Sequence, residues 1–283
     1  MDFHTIPGED QTFVCSQEGE GPDAVLVHGF PDTPHSFASL QAALAGDGWR
    51  VTVPWLRGYH PNTIVPGRRY DPETLGRDVL GLLDATGAQR TLLVGHDWGA
   101  LSAYAAAALA PERVAGIVSI GVPHPSVLSR TPAALWAVRH FFLLKAPWAA
   151  AACRRANFAY FDRLYRRWAP NWSGPERAES VDRAKHALSS PHTLRGAISY
   201  YRDLPLGRLA LFDRPPQTPG LIIGGTHDVA PAELYERTAA LLAPPSRALI
   251  VERAGHWPHR EAEAVVVPEL LAWARELGVY ADR

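Results

Sequence analysis

One short turn limits what this chain can become more than any other stretch. Val94-Gly95-His96-Asp97-Trp98-Gly99-Ala100 follows an apolar run and precedes an Ala-rich segment. Glycines on both sides of a central residue permit a tight strand-to-helix turn, which pushes the central side chain into the open at the sheet's edge. The helix that begins there presents unpaired backbone N–H groups and its positive dipole end. Small residues at Gly99, Ala100 and Ala103 allow it to lie close to the sheet. The usual form of such a turn is Gly-x-Ser-x-Gly, and here Asp97 takes the central place. Taken alone, the motif also fits an ordinary Asp-containing turn. A carboxylate with a reference pKa of about 4 needs no base to act as a nucleophile at neutral pH. Attack by Asp97 on a saturated carbon would give an alkyl ester of the chain. Water could then cleave that ester at its carbonyl, given a base and an oxyanion hole. The strained oxygen of an epoxide and a halide are both leaving groups within reach of this chemistry.

The surroundings of the turn predict an α/β fold. Apolar runs at Ala24–Val27, Val51–Val53, Thr91–Val94, Val114–Ile120, Leu221–Ile223 and Leu249–Val251 read as strands. Between them Ser36–Ala45, Pro72–Asp84, Ala100–Ala110, Ala232–Leu242 and Glu261–Leu277 read as helices. That alternation predicts a mostly parallel sheet with helices on both faces. It breaks between about Ser126 and Leu211, where the chain is helical in character and rich in aromatics. The expected organisation is therefore a core of residues 1–125 and 212–283 with a helical cap, 126–211, inserted between two halves of the sheet. Arg214-Pro215-Pro216 and Ala243-Pro244-Pro245 read as loops.

Composition narrows the function classes. Across 283 residues the hydrophobic fraction is 47% and the net charge −1, with no basic run. A large buried core is affordable, and neither nucleic acid nor a membrane surface is an expected partner. Cys15 and Cys153 lie far apart with no metal-ligand spacing, so neither a disulfide framework nor a zinc site is expected and a reducing cytoplasm is the default location. The ester chemistry outlined for Asp97 calls for no metal or cofactor. Ala133–Cys153 is the most apolar region, but Arg139, Lys145 and Pro147 interrupt it too often for a bilayer span.

Two further motifs complete a set with Asp97. Ile223-Gly224-Gly225-Thr226-His227-Asp228 ends an apolar run in a turn bearing Asp228. Arg253-Ala254-Gly255-His256-Trp257-Pro258 places His256 in a loop after the last strand. Such an acid holds a histidine in one tautomer and stabilises its protonated form. The order Asp97, Asp228, His256 is the nucleophile–acid–histidine order of the fold that carries the Gly-x-Ser-x-Gly form of this turn. Val27-His28-Gly29-Phe30-Pro31-Asp32 would bring the Phe30 N–H to the carbonyl oxygen of Asp97, with the Trp98 N–H as second donor and Pro31 fixing the turn, a cis bond being one way.

With these pieces assembled, the chain resembles the epoxide hydrolases of the α/β-hydrolase superfamily, whose near relatives include haloalkane and fluoroacetate dehalogenases. Trp55-Leu56-Arg57-Gly58-Tyr59 is similar to that family's Arg-Gly-Tyr stretch, without the Asp that often opens it. The resemblance implies two cap donors to the epoxide oxygen. Ser199-Tyr200-Tyr201-Arg202 matches the segment of the second donor and points to Tyr201, with Tyr200 as substitute if the register shifts by one. Seven residues before Pro147, where the family usually has tyrosine, this chain has His140. Phe30, Trp98 and Tyr200 are further expected substrate contacts. The implied substrates are a small apolar epoxide and water, and oligomeric state is not legible. Haloalkane hydrolysis is the alternative reading, for which Trp98 with Trp136 or Trp148 would cradle the halide. A third reading is a ligand-binding or biosynthetic helper on the same fold. Arginines that would grip a haloacid are replaced here by Trp98 and Leu101, which disfavours that chemistry.

Overall fold

The computed structural model describes residues 1–128, 131, 136–205, 207 and 209–279. Of the expected insertion, residues 129, 130, 132–135, 206 and 208 therefore lie outside the described residues, as does the 133–135 part of the apolar stretch Ala133–Cys153.

Eight strands form one sheet: β1 His4–Pro7, β2 Thr12–Glu18, β3 Asp23–Val27, β4 Arg50–Pro54, β5 Thr91–His96, β6 Val114–Ile120, β7 Pro219–Gly225 and β8 Ala243–Val251. Their spatial order is β1-β2-β4-β3-β5-β6-β7-β8, parallel from β4 onward and antiparallel at β1–β2 and β2–β4. Residues of β3 and β5 alternate between the two faces, as a two-residue period requires. Val25, Val27 and Leu93 pack on one side, and Ala24, Leu26, Leu92 and Val94 on the other. The helices that cover the sheet include α1 Ala38–Gly46, α2 Pro72–Thr86 and α3 Trp98–Leu109. Between β6 and β7 come α4 His140–Lys145, α5 Ala149–Trp168, α6 Pro175–Ala187 and α7 Pro191–Asp203, and the described residues there include no strand. α5 is interrupted by non-helical backbone at Arg155–Phe158. After β7 follow α8 Ala232–Ala239, α9 Pro258–Glu261 and α10 Glu263–Glu276. Among the described residues no helix is long and apolar enough to cross a membrane.

Three details differ from the sequence reading. The hairpin β1–β2 was not expected, because β1 is an exposed edge and β2 ends in polar residues. β8 starts at Ala243, so Ala243-Pro244-Pro245 is strand rather than loop. An edge strand tolerates proline because one row of its backbone groups has no partner strand to serve. α3 begins at Trp98 instead of Ala100, which puts the helix N-terminus directly after Asp97.

Candidate active site

Asp97 joins β5 to α3 with φ 51° and ψ −116°. A non-glycine residue held there costs about 1–3 kcal/mol and persists only where its surroundings over-determine it. Glycines supply that determination. A Cβ on Gly95 would stand 2.3 Å from the Gly99 oxygen, and one on Gly99 would stand 1.8 Å from the Val27 oxygen. The Asp97 N–H donates to the Ile120 carbonyl at 3.1 Å, tying the turn to the neighbouring strand.

The loop after β3 reaches the same carboxylate. At Gly29 a Cβ would lie 2.4 Å from that of Asp97, so only glycine permits the approach. The Phe30 N–H then donates to Asp97 Oδ1 at 2.7 Å, and the Phe30–Pro31 bond is cis. Trp98, as first residue of α3, contributes one of the N–H groups that have no partner within their own helix.

His256 Nε2–H faces Asp97 Oδ2 at 3.4 Å, while its Nδ1–H donates to Asp228 Oδ1 at 2.8 Å. Burial works against charge on this imidazole, yet the charges and hydrogen bonds of Asp228 and Asp97 win and raise its pKa to about 10. Burial likewise works to raise the Asp97 pKa. The hydrogen bond and charge of His256, with lesser help from His96 and the Phe30 N–H, overcome it and hold the pKa below the ordinary value. The resting pair is thus carboxylate and imidazolium at neutral pH.

Residues absent from the sequence reading hold this arrangement. Tyr235, from α8, donates to Asp228 Oδ2 at 2.5 Å, and its ring fits only because position 224 is glycine. Glu261 accepts from the N–H groups of Gly255 and Trp257 at 2.8 and 2.9 Å, clamping the His256 loop from both sides. The His256 N–H donates to the Trp168 carbonyl at 2.8 Å, which anchors the loop to the end of α5. Neither Tyr235 nor Glu261 carries a local signal, since both lie in stretches that read as ordinary amphipathic helix. Phenylalanine at position 235 would leave a buried Asp228 oxygen unsatisfied, at a cost of about 1–3 kcal/mol. It would also concentrate the Asp228 charge on His256. Tyr235→Phe is accordingly expected to move the His256 titration to higher pH, read by NMR of the imidazole. An unmoved titration would reduce Tyr235 to packing.

From the helical insertion, α7 brings Tyr201 against Phe30 and Trp98, with ring centroids 5.2 and 5.1 Å apart. The Tyr201 hydroxyl is buried, and the Trp98 indole is the one side chain among the described residues with which it has any hydrogen-bonding interaction, short of well-formed geometry. Its pKa lies well above the ordinary value, through burial first and then the Asp97 charge. His140, at the start of α4, lies 5.8 Å from the Tyr201 ring and is also buried. Burial lowers its pKa to about 3 even though Asp97 opposes the shift, so this imidazole is neutral at pH 7. The Tyr200 ring lies 5.4 Å from that of Trp98, while its hydroxyl turns elsewhere, donating to the Arg57 carbonyl at 2.8 Å and tying α7 to the Arg-Gly-Tyr stretch. Gly58 and Gly196 make that contact close, for a Cβ on Gly196 would stand 2.6 Å from the Gly58 oxygen. Trp136 and Trp148 are exposed, so neither is placed to cradle a halide beside Asp97.

Three metal-ligating side chains do converge, in a buried cluster of Asp32, His96 and His259 beneath the His256 loop. The Asp32 carboxylate already accepts from the Thr33 N–H and the Trp257 indole, and His96 Nε2–H donates to the His256 carbonyl at 2.9 Å. These bonds make Asp32 and His96 a support for that loop, and His259 stacks on Phe37 with a ring-centroid distance of 5.1 Å. A surface cleft of about 720 Å³ beside α2, lined by Gln11, Arg57, Arg68 and Asp78, contains none of the predicted site residues.

A parallel sheet with a strained carboxylate at the strand-to-helix turn defines a hydrolase class, and comparison with known proteins agrees. The chain belongs to the α/β hydrolase fold family, whose model matches residues 25–263. Within it the chain is similar to the AB hydrolase superfamily protein YfhM of Bacillus subtilis, with 27% identity over 90% of this chain and 91% of that one. It is 29% identical to Epoxide hydrolase A of Mycobacterium tuberculosis, over 90% of each chain. Among solved structures, an epoxide hydrolase from an endophytic Streptomyces superposes with a TM-score of 0.82 at 23% identity, covering 98% of this chain and 96% of that one. That likeness speaks to the fold, and it agrees with the fold the motifs predicted.

Proposed function

We propose that this chain is an epoxide hydrolase that opens a small apolar epoxide to a vicinal diol through an ester on Asp97. The observation that carries this reading is the set of groups around one carboxylate. A backbone N–H holds one Asp97 oxygen at 2.7 Å, and an imidazolium backed by a second acid stands 3.4 Å from the other. A buried tyrosine, Tyr201, packs its ring on the two residues, Phe30 and Trp98, that border the nucleophile, and its hydroxyl makes no well-formed hydrogen bond among the described residues. The relatives named as epoxide hydrolases support it.

In this reading residues 126–211 act as the cap and Asp97, Asp228 and His256 as the triad. Asp97 attacks a ring carbon, the C–O bond breaks, and Tyr201, with neutral His140 beside it, protonates the leaving oxygen. Esterification removes the Asp97 charge, one of the two that hold the His256 proton. His256 therefore gives that proton up, and the tyrosinate, disfavoured by burial, regains one. Neutral His256 then takes a proton from water as the hydroxide adds to the ester carbonyl. The Phe30 and Trp98 N–H groups hold the oxyanion, whose collapse breaks the ester C–O bond. The leaving alkoxide takes the proton of the added hydroxyl and departs as diol, and Asp97 returns as carboxylate with His256 charged.

Turnover of an epoxide panel beside a haloalkane panel tests this directly, with diol and halide measured separately. Diol without halide is the expected result. Halide alone would assign dehalogenation, and neither product would leave a binding role. Tyr201→Phe is expected to slow epoxide opening by about 10²-fold or more, the scale of a lost general acid. Wild-type single-turnover rates in that variant would remove Tyr201 from the reaction.

A further inference from the structure

The balanced net charge conceals an uneven distribution. Residues 136–168 hold seven basic side chains and one acid, Asp162, while the rest of the chain holds 21 basic and 28 acidic residues. Asp162 is itself engaged, by Lys185 at 2.9 Å. None of the seven basic groups makes a salt bridge among the described residues.

The same segment carries every exposed phenylalanine and tryptophan among the described residues: Trp136 at 69%, Phe142 at 63% and Trp148 at 64% exposure. Cations accompany these rings. The Arg139 guanidinium lies 4.5 Å from the Trp136 ring centroid. Lys145, three residues after Phe142, donates to the Leu204 carbonyl at 2.6 Å. Arg202 donates to the carbonyls of Ala146 and Pro147, next to Trp148. α4 therefore has two characters, with His140 and Leu144 buried on its inner side and Phe142 directed to solvent.

Large exposed rings cost solubility unless something covers them, and an amphipathic ring beside a cation suits the boundary between lipid headgroups and acyl chains. We propose that this face docks the protein on the surface of an anionic phospholipid bilayer. Trp136, Phe142 and Trp148 enter at headgroup depth, and the segment's cations, none of them in a salt bridge among the described residues, meet the lipid phosphates. The contact is peripheral, and it revises the expectation that a membrane surface is no partner, which rested on total charge alone. An apolar substrate dissolved in the lipid would then meet the outer side of the helix whose inner side carries His140. The inference goes beyond the reaction proposed above, and its test reads binding without turnover.

The test sediments the full chain with vesicles of phosphatidylcholine alone and with vesicles containing equal phosphatidylglycerol. Binding to the anionic vesicles is expected to be at least about tenfold tighter, and to weaken as salt is raised. The triple variant Trp136→Ala, Phe142→Ala, Trp148→Ala is expected to lose that binding at an unchanged melting temperature. If the triple variant fails to fold, the charge variant Arg139→Glu, Lys145→Glu carries the same expectation. Indifference to lipid charge, or retained binding in the folded variants, would overturn the proposal. A concentration-dependent dimer in sedimentation velocity that the same substitutions abolish would assign the face to a second copy and overturn it equally.

Discussion

Replacing Asp97 with asparagine is expected to reduce epoxide turnover by about 10⁴-fold or more, the range seen when an enzyme loses its covalent nucleophile. The side chain keeps its shape and its place between Phe30 and His256, so the loss would reflect chemistry and not folding. A second readout checks the electrostatics independently. Asp97 is one of the two carboxylates that lift the His256 pKa to about 10. Removing its charge is expected to lower the imidazole titration, observable by NMR without any substrate. Single turnover of wild-type protein in heavy-oxygen water supplies the positive counterpart, since label should enter the Asp97 side chain. Unlabelled Asp97 after turnover would rule out attack of water on an ester there.

Replacing His256 with glutamine should separate the two half-reactions. Nothing in the opening step requires a neutral base, because Asp97 is already ionised and Tyr201 supplies the proton. Hydrolysis of the ester does require one, and loss of a positioned base costs about 10²–10⁴-fold. The variant is therefore expected to accumulate a covalent adduct whose mass equals that of the intact epoxide, read by intact-protein mass spectrometry. A haloalkane would instead add its alkyl group without the halogen, so the adduct mass also distinguishes the leaving group. Absence of any adduct, with fold intact, would count against ester chemistry. In wild-type protein the same logic predicts an asymmetric pH dependence. Opening stays level down to the depressed Asp97 range, whereas hydrolysis rises with pH as His256 loses its proton, because only the neutral imidazole acts as base.

Much of the fold was legible before any coordinates. All six expected strands are present, and Asp97, Asp228 and His256 each follow a separate strand of the sheet. The misses have physical causes. β1 is an exposed edge strand and β2, between it and β4, ends in polar residues, so both lack the continuous apolar run that marks a buried parallel strand. The prolines of β8 read as a loop because their tolerance depends on lying at the sheet's edge. Tyr200 and Tyr201 are adjacent in sequence, yet one hydroxyl donates to the Arg57 carbonyl and the other lies toward Trp98 with no well-formed hydrogen bond among the described residues. A helix turns about 100° per residue, so its docking angle alone decides which of two neighbours meets the site.

Legible in the residues alone were the strand-to-helix turn at Asp97, the glycines at 29, 95 and 99 that make it possible, and an acid and a histidine placed after later strands. Those are local matters, governed by backbone sterics and by periodicity within a few residues. Which groups carry charge and which face solvent was settled by long-range packing. His256 holds its proton and His140 does not, because one imidazole is buried between two carboxylates and the other mainly among aromatic rings. Tyr235 and Glu261 acquire their partners, and Trp136 and Trp148 their exposure, from how distant segments pack. Desolvation and pairing are properties of a neighbourhood, and the chain acquires its neighbourhoods only on folding.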